Sequence, residues 1–262
     1  MRGSLLVPTL NEAATIGHVL REFRAAATAA NATLFRDDPI EWEMLVIDGA
    51  STDGTAERAA AEGARVIVER RPGYGRAYRT GFAEATGEVL ATLDGDGTYP
   101  APEIPRLVRT LFDEHLDFLT CNRLAFLDRR AMTTEHRIGN WVLNTFLRIA
   151  FARYLASAGL RLADSQSGMW VFRRAVLDRV TLTQDGMPMS EELKIEVILH
   201  GLKAEEVPIR YAERWGGPPK LSSWRDGRRN LMFLLTRRLE LARQARGGGG
   251  YPIGGPQEPA GR

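Results

Sequence analysis

A chain of 262 residues, 44% of them hydrophobic, holds enough apolar material for one large packed domain. Its net charge of +2 gives no reason to expect a nucleic-acid partner, and its single cysteine, Cys121, excludes an internal disulfide and a cysteine-based zinc site. No uncharged apolar run approaches the ~20 residues of a spanning helix, and no N-terminal stretch reads as a signal peptide, so a soluble or peripheral protein is expected.

In chain order, short apolar runs alternate with helical patterns. Residues 4–7, 44–47, 65–68, 88–93 and 117–120 read as strands. Residues 13–30, 55–62, 76–86 and 102–114 between them read as helices. This alternation predicts an α/β fold with a mostly parallel sheet flanked by helices. Ligands in such sheets bind beyond the carboxyl ends of the strands. After Asn122 the pattern changes. A long amphipathic helical stretch, 133–158, precedes a loop at 164–168 and a strand at 169–172. A helix at 190–200, a strand at 205–211, a Gly/Pro-rich loop at 214–221 and a final amphipathic helix near 226–244 follow. Residues 1–246 read as one domain, with a boundary between halves near 122–123, and 247–262 as a disordered tail.

The segments just past the strands carry the chemistry. Asp94-Gly95-Asp96-Gly97-Thr98-Tyr99-Pro100 follows an apolar strand. Two carboxylates one residue apart at a glycine turn can converge on one hard cation. Mg²⁺ favours one or two carboxylates together with substrate phosphates. The first strand ends in Val7-Pro8-Thr9-Leu10-Asn11-Glu12, which reads equally well as a turn opening a helix. The second ends in Asp48-Gly49-Ala50-Ser51-Thr52-Asp53-Gly54-Thr55. There Asp48 can meet a base edge or a ribose hydroxyl, and Ser51 and Asp53 can cap the next helix. Arg70-Arg71-Pro72-Gly73-Tyr74-Gly75-Arg76 suits an anion site at a helix start, or a solvated loop.

Together and in this order, these segments resemble the family 2 glycosyltransferases of the GT-A (Rossmann-like) fold, and within them the polyprenyl-phosphate (dolichol-phosphate) hexosyltransferases. The resemblance runs over about residues 5–235. It rests on VPTLNE (7–12), DGASTDGT (48–55), GYGRAYRTGFAEATG (73–87), DGDGTYP (94–100), DSQSGMWVFRR (164–174) and EVPIRYAERWGGPPKL (206–221).

The resemblance implies roles. Pro8, Asn11 and Glu12 fall on the nucleotide floor, and Asp48 on the acid that reads base or ribose. Asp94 and Asp96 match the metal-binding pair for Mg²⁺ or Mn²⁺, with Thr98 where relatives often place a third metal-side ligand. Asp164 heads a loop beside sugar and acceptor. Arg76, Arg214 and Lys220 fall near the donor diphosphate, with Arg214 and Lys220 on a loop that closes over it. Arg123 and Arg137 fall where relatives hold a lipid phosphate, and Glu192 matches a family acid. Gly49 stands where many relatives carry a second acid.

The implied reaction is an inverting, metal-dependent hexose transfer from a nucleotide sugar to a polyprenyl or dolichyl phosphate. GDP-mannose is the first donor expected, then UDP-glucose or UDP-N-acetylglucosamine. None of the four histidines stands in a motif; His136, beside Arg137, is the one nearest an implied site residue. The stretch 141–154 and the final helix mix large apolar residues with Arg, which suits an anionic membrane surface or packing on the sheet. A peripheral enzyme at the cytoplasmic face of a membrane, alone or with a separate membrane subunit, is the resulting expectation. The competing readings are the same fold acting on a soluble acceptor and a nucleotide-sugar-binding module without turnover.

Overall fold

The computed structural model describes residues 1–128, 130–216 and 223–246. The expected alternation is present: β1 (Arg2–Thr9), α1 (Ile16–Thr33), β2 (Glu41–Asp48), α2 (Thr55–Ala61), β3 (Arg65–Val68), α3 (Tyr74–Glu84), β4 (Val89–Thr92), α4 (Ile104–Asp113) and β5 (Phe118–Leu127). The chain continues through α5 (Thr134–Ala150), α6 (Ala152–Ser157), β6 (Trp170–Arg173), α7 (Met189–Leu199), β7 (Ala204–Tyr211) and α8 (Ser223–Arg246). The seven strands form one sheet in the order β3-β2-β1-β4-β6-β5-β7. The boundary expected at 122–123 falls inside β5, so both halves share this sheet.

Only β6 runs antiparallel to its neighbours β4 and β5. Its chain enters from a loop at the carboxyl edge, where Asp164 bonds Arg123, so the strand that follows must run back down. Pro8, within a central strand, breaks no rung. Leu6 accepts from Leu93 on the β4 side, and residues two apart face the same neighbour. Pro8 therefore faces the side where β4 has already left the sheet after the Leu6–Thr92 pair.

Strand alternation splits the core into two layers. Leu5 and Val7 face α1 and α4, with Ile16, Leu20, Phe23, Leu107 and Leu111. Leu6 faces α3 and α7, with Tyr78, Phe82, Leu193 and Val197. In α4 the buried residues Ile104, Leu107, Val108 and Leu111 fall at helical spacing, one stripe against the sheet. Helix α7 is different: all eleven residues are buried, including Glu191, Glu192, Lys194 and Glu196. One face meets the sheet, and Ile195, Ile198 and Leu199 join a third cluster with α5, α6 and α8.

The stretch expected as one helix over 133–158 is broken at Phe151, a fully buried residue with φ −112° and ψ 15°. Neither α5 nor α8 packs chiefly on the sheet; they pack on each other and on α7 through Leu143, Leu147, Leu234 and Leu241. Ile138, Trp141, Ile149 and Met232 are left exposed. Among the described residues no helix is long and apolar enough to cross a membrane.

Phe172 lies between Phe82 and Phe118 with ring centroids 5.5 and 5.8 Å away. Phe172→Ala should therefore remove about 3–5 kcal/mol of stability in urea unfolding. A loss below about 1 kcal/mol would contradict the packing described.

Candidate active site

The loops after β1 and β2 are zipped together. Asn11 donates its backbone N–H to the Ser51 hydroxyl (2.8 Å), and its side-chain oxygen accepts from the Thr52 N–H (2.9 Å). The Glu12 N–H reaches the Thr55 hydroxyl (2.8 Å), and the Ala13 N–H reaches Asp53 (3.0 Å). Asn11 and Ala50 both take positive φ, 52° and 59°, at this crossing. Asp48 is the last residue of β2 and is 2% exposed. Its carboxylate accepts from the Ser51 N–H and hydroxyl and from the Thr9 hydroxyl. Gly49 has a local reason: a Cβ there would sit 3.2 Å from the Thr9 carbonyl oxygen. The N-cap of α2 is Gly54, with no side-chain cap bond; Asp53, one residue earlier, accepts from the Thr55 N–H and hydroxyl, whereas Ser51 serves Asp48 and Asn11.

The turn after β4 brings Asp94 and Asp96 beside Glu12 and Arg214. The Arg214 guanidinium spans Glu12 Oε1 and Asp96 Oδ2, each at 2.8 Å. Asp96 Oδ1 accepts from the N–H and the hydroxyl of Thr98, at 3.0 and 2.6 Å. The Thr98 hydroxyl proton is therefore spent on Asp96. The loop carrying Arg214 rests on this turn, since Trp215 N–H donates to the Asp96 carbonyl and its indole covers Gly97. A Cβ on Gly97 would lie 2.3 Å from that ring, so only glycine fits. Trp215 and Tyr74 are site residues that the motifs did not single out by role.

Asp94 Oδ1 is buried and has no hydrogen-bond partner among the described residues. Burial, and secondarily the charge of Asp96, push the Asp94 carboxyl up to about 7. A dication would relieve both penalties. Among the described residues no group of three or more His, Cys, Asp or Glu side chains is arranged around a metal position. Asp94 and Asp96 thus fit a hard ion that takes its remaining oxygens from substrate phosphates and water.

The loop 164–168 reaches the same edge, where a Cβ at Gly168 would lie 3.7 Å from Asp94 Oδ1. Asp164 is fully buried, and it accepts from Arg123 Nε (2.7 Å), Nη2 (2.8 Å) and N–H (3.0 Å) and from the Gln166 N–H (3.1 Å). This pairing holds the Asp164 carboxyl below its usual range against the opposing effect of burial. The Arg123 side chain is 10% exposed and its guanidinium lies 5.4 Å from the Tyr211 ring centre. Glu206 accepts from the N–H groups of Ala163 and Asp164. Asn144 accepts from Ser165, and Lys194 donates to the carbonyls of Ser165 and Ser167, both at 2.8 Å. Gln166 joins Glu191 (2.5 Å) to Asn230 (2.6 Å). At its far end the Gly168 N–H donates to the Tyr99 hydroxyl (2.7 Å), and a Cβ at Gly168 would meet the Tyr74 hydroxyl at 2.1 Å. Asn144, Glu191, Lys194, Asn230 and Glu206 had no assigned role in the sequence. Their signal was faint: polar residues inside otherwise apolar helical stripes and, for Glu206, on a strand.

The remaining expected residues lie further out. Arg76 is paired with Asp185 (2.5 Å), whose carbonyl also takes the Arg76 N–H. The first turn of α3 thus meets the backbone at 184–186, and Gly75 allows that approach, because a Cβ would sit 2.3 Å from the Gln184 carbonyl. Arg137 is exposed on α5, two turns before Asn144 on the same face. Glu192 holds the N–H groups of Thr183 and Gln184. His136 lies in the first turn of α5, where its N–H donates to the capping Thr133 hydroxyl. Lys220 and the tail 247–262 lie outside the described residues.

Two measurements check these electrostatics. Arg123→Ala strands a buried carboxylate and should lose about 3–5 kcal/mol in urea unfolding. Adding Asp164→Asn, which removes the charge and keeps the acceptor oxygen, should recover at least half; no recovery would mean that charge is not the cause. Glu191 is pushed by burial from its ordinary 4.5 up to about 8. A raised pKa favours the fold below about pH 4.5, and that contribution fades as pH rises toward about 8. Glu191→Gln should therefore stabilise the protein more at pH 8 than at pH 5, and an equal effect at both would contradict this.

The carboxyl edge of the sheet thus holds a carboxylate pair, a bridging arginine and a heavily hydrogen-bonded loop. The family described as glycosyl transferase family 2 matches residues 4–181. Glycosyltransferase AglJ of Haloferax volcanii is 34% identical over 244 residues, 92% of this chain and 71% of that protein. A dolichyl-phosphate hexose transferase of the same organism is 32% identical over 226 residues, 86% of this chain and 88% of that protein. Glucosyl-3-phosphoglycerate synthase from Mycobacterium tuberculosis, solved with Mn²⁺, uridine diphosphate and glucosyl-3-phosphoglycerate, aligns over 90% of this chain and 79% of its own. Its TM-score is 0.68 at 22% identity, a likeness of fold. The chain belongs to glycosyl transferase family 2 and is a glycosyltransferase of the GT-A fold.

Proposed function

We propose that this glycosyltransferase moves a hexose, with inversion, from a nucleotide sugar to a polyprenyl phosphate. One observation carries the acceptor half of this reading. A groove of about 710 Å³ lies between α5 and α8, lined by Ile138, Val142, Leu143 and Leu231 together with Arg225, Arg228 and one acid, Glu135. Apolar walls suit an isoprenoid chain, and the arginines suit its phosphate. The same two helices reach the loop 164–168 through Asn144 and Asn230, which sets the groove beside the site. The similarity to a dolichyl-phosphate hexose transferase supports the same acceptor class. Exposed Trp141, Ile149 and Met232 beside Arg148 and Arg228 favour peripheral contact with an anionic membrane, from which such a lipid would be drawn.

On the donor side, Asp94 and Asp96 would hold Mg²⁺ or Mn²⁺, which supplies positive charge to the departing nucleoside diphosphate. Arg214 adds a second positive charge at the same place, with Lys220 proposed to join it. Asn11 and Glu12 shape the nucleotide floor, with Asp48 bracing it from beneath. Asp164 has every oxygen engaged, so its role is to aim Arg123 at the acceptor phosphate. That phosphate is already an anion and needs alignment more than a strong base. A single displacement by it inverts the sugar carbon. GDP-mannose remains the first donor to try, ahead of UDP-glucose and UDP-N-acetylglucosamine.

The test is a transfer assay with labelled nucleotide sugars, a short polyprenyl phosphate and Mn²⁺ or Mg²⁺. Label should enter the organic phase, EDTA should abolish the transfer, and Asp96→Ala should lower it by about 10²-fold or more while leaving the thermal transition in place. Label that enters only water-soluble product would overturn the lipid acceptor. Normal transfer in EDTA would overturn the metal.

A further inference from the structure

The groove between α5 and α8 shares its two walls with the loop that orients Arg123. Leu143 lines the groove, and the next residue, Asn144, turns inward to Ser165. Leu231 lines it from the other side, and the preceding residue, Asn230, turns inward to Gln166. Adjacent loop residues are therefore held by adjacent helices, each through a side chain 3% exposed. Anything that changes the spacing of α5 and α8 pulls on Ser165 and Gln166.

Both ends of this short loop bear on the reacting groups. One residue before Ser165, Asp164 holds Arg123 at two points. Two residues after Gln166, Gly168 is bonded to Tyr99 and faces the Tyr74 hydroxyl and Asp94 Oδ1. The tethers can also change partners. Asn144 Nδ2 and Asn230 Oδ1 are buried and have no hydrogen-bond partner among the described residues, nor has the neighbouring Glu191 Oε2. A buried amide with an unused donor or acceptor loses little by re-pairing when its helix shifts, because the present arrangement already leaves that group unsatisfied.

We propose that Asn144 and Asn230 are positioning residues that couple occupancy of the α5–α8 groove to the placement of the loop 164–168, and through it to Arg123 and the Asp94 edge. This rests on the groove being the acceptor site. Filling the groove fixes the spacing of α5 and α8 and so holds both amides in the pairings seen here, which makes excursions of the loop from this position rarer. Donor hydrolysis without an acceptor is thereby disfavoured. Coupling of this kind is reciprocal, so donor occupancy should tighten the groove by the same factor.

Hydrogen exchange of the intact protein tests it. A short-chain polyprenyl phosphate in detergent is the probe, with its binding followed separately by tryptophan fluorescence. In the wild type, saturating probe should slow exchange of the amides at 165–168 by about tenfold. In Asn144→Ala and Asn230→Ala the probe should still bind, and the slowing should disappear. Inorganic phosphate alone, which carries no chain, should not slow the loop. If the wild type does not bind the probe, the acceptor reading falls and the coupling with it. If the probe binds and the wild-type loop is unchanged, the coupling alone falls, whatever the variants do. Slowing that persists in both variants, or that phosphate alone reproduces, also overturns it.

Discussion

Two opposite charges, Arg123 and Asp164, are buried together at the carboxyl edge of the sheet and joined at two points 2.7 and 2.8 Å long. Neither could be buried alone at tolerable cost. Arg123 stands on β5 and Asp164 on the loop that enters β6, so the pair fixes where that loop begins. From there the other contacts follow in sequence. Glu206 takes the N–H groups around Asp164, Lys194 takes the carbonyls of Ser165 and Ser167, and Gly168 closes against Tyr99. A loop with so many buried polar partners favours one conformation, because each abandoned partner would carry a desolvation penalty; the half-used amides of Asn144 and Asn230 are its least committed contacts.

The acid-rich side of the cleft obeys a different balance. Glu12, Asp94 and Asp96 crowd negative charge at the turn after β4, and Arg214 offsets part of it from a loop that rests on the same turn. The Trp215 indole over Gly97 keeps that loop seated. The site therefore combines a heavily hydrogen-bonded loop, built on sheet and helices, with an acid-rich turn whose charges are only partly satisfied. Firmly held groups beside preorganised electrostatics are what the proposed transfer between two anionic substrates would require.

The sheet was legible in the sequence because its strands are short apolar runs, and the helices between them carry one apolar stripe each. Residues 65–68 and the β4 region were placed to within a residue. The carboxylates were legible because they stand at strand ends, where backbone geometry aims them at the cleft. Helix α7 was legible as a helix and illegible as part of the site. Its Glu191 and Lys194 carried no assigned role, yet packing against α8 and the loop 164–168 buries them. Asn144 and Asn230 hid for the same reason: a polar residue on an amphipathic helix carries no mark of which neighbour it will meet. The antiparallel β6 was not visible either, since direction depends on which edge the chain enters from. The glycines at 73 and 75 suggested an anion site, and their closest neighbours are instead the backbone carbonyls of Asp185 and Gln184.

The account turns on Asp94 and Asp96 holding the ion that binds the donor diphosphate. A crystal structure of the protein grown with Mn²⁺ and a nucleoside diphosphate, with anomalous data collected at the manganese edge, addresses this directly. The account predicts one strong peak beside Asp94 Oδ1 and the Asp96 carboxylate, in contact with the diphosphate, and no such peak in Asp96→Ala. A diphosphate bound at the cleft with manganese absent from these two carboxylates, or bound elsewhere, would contradict it.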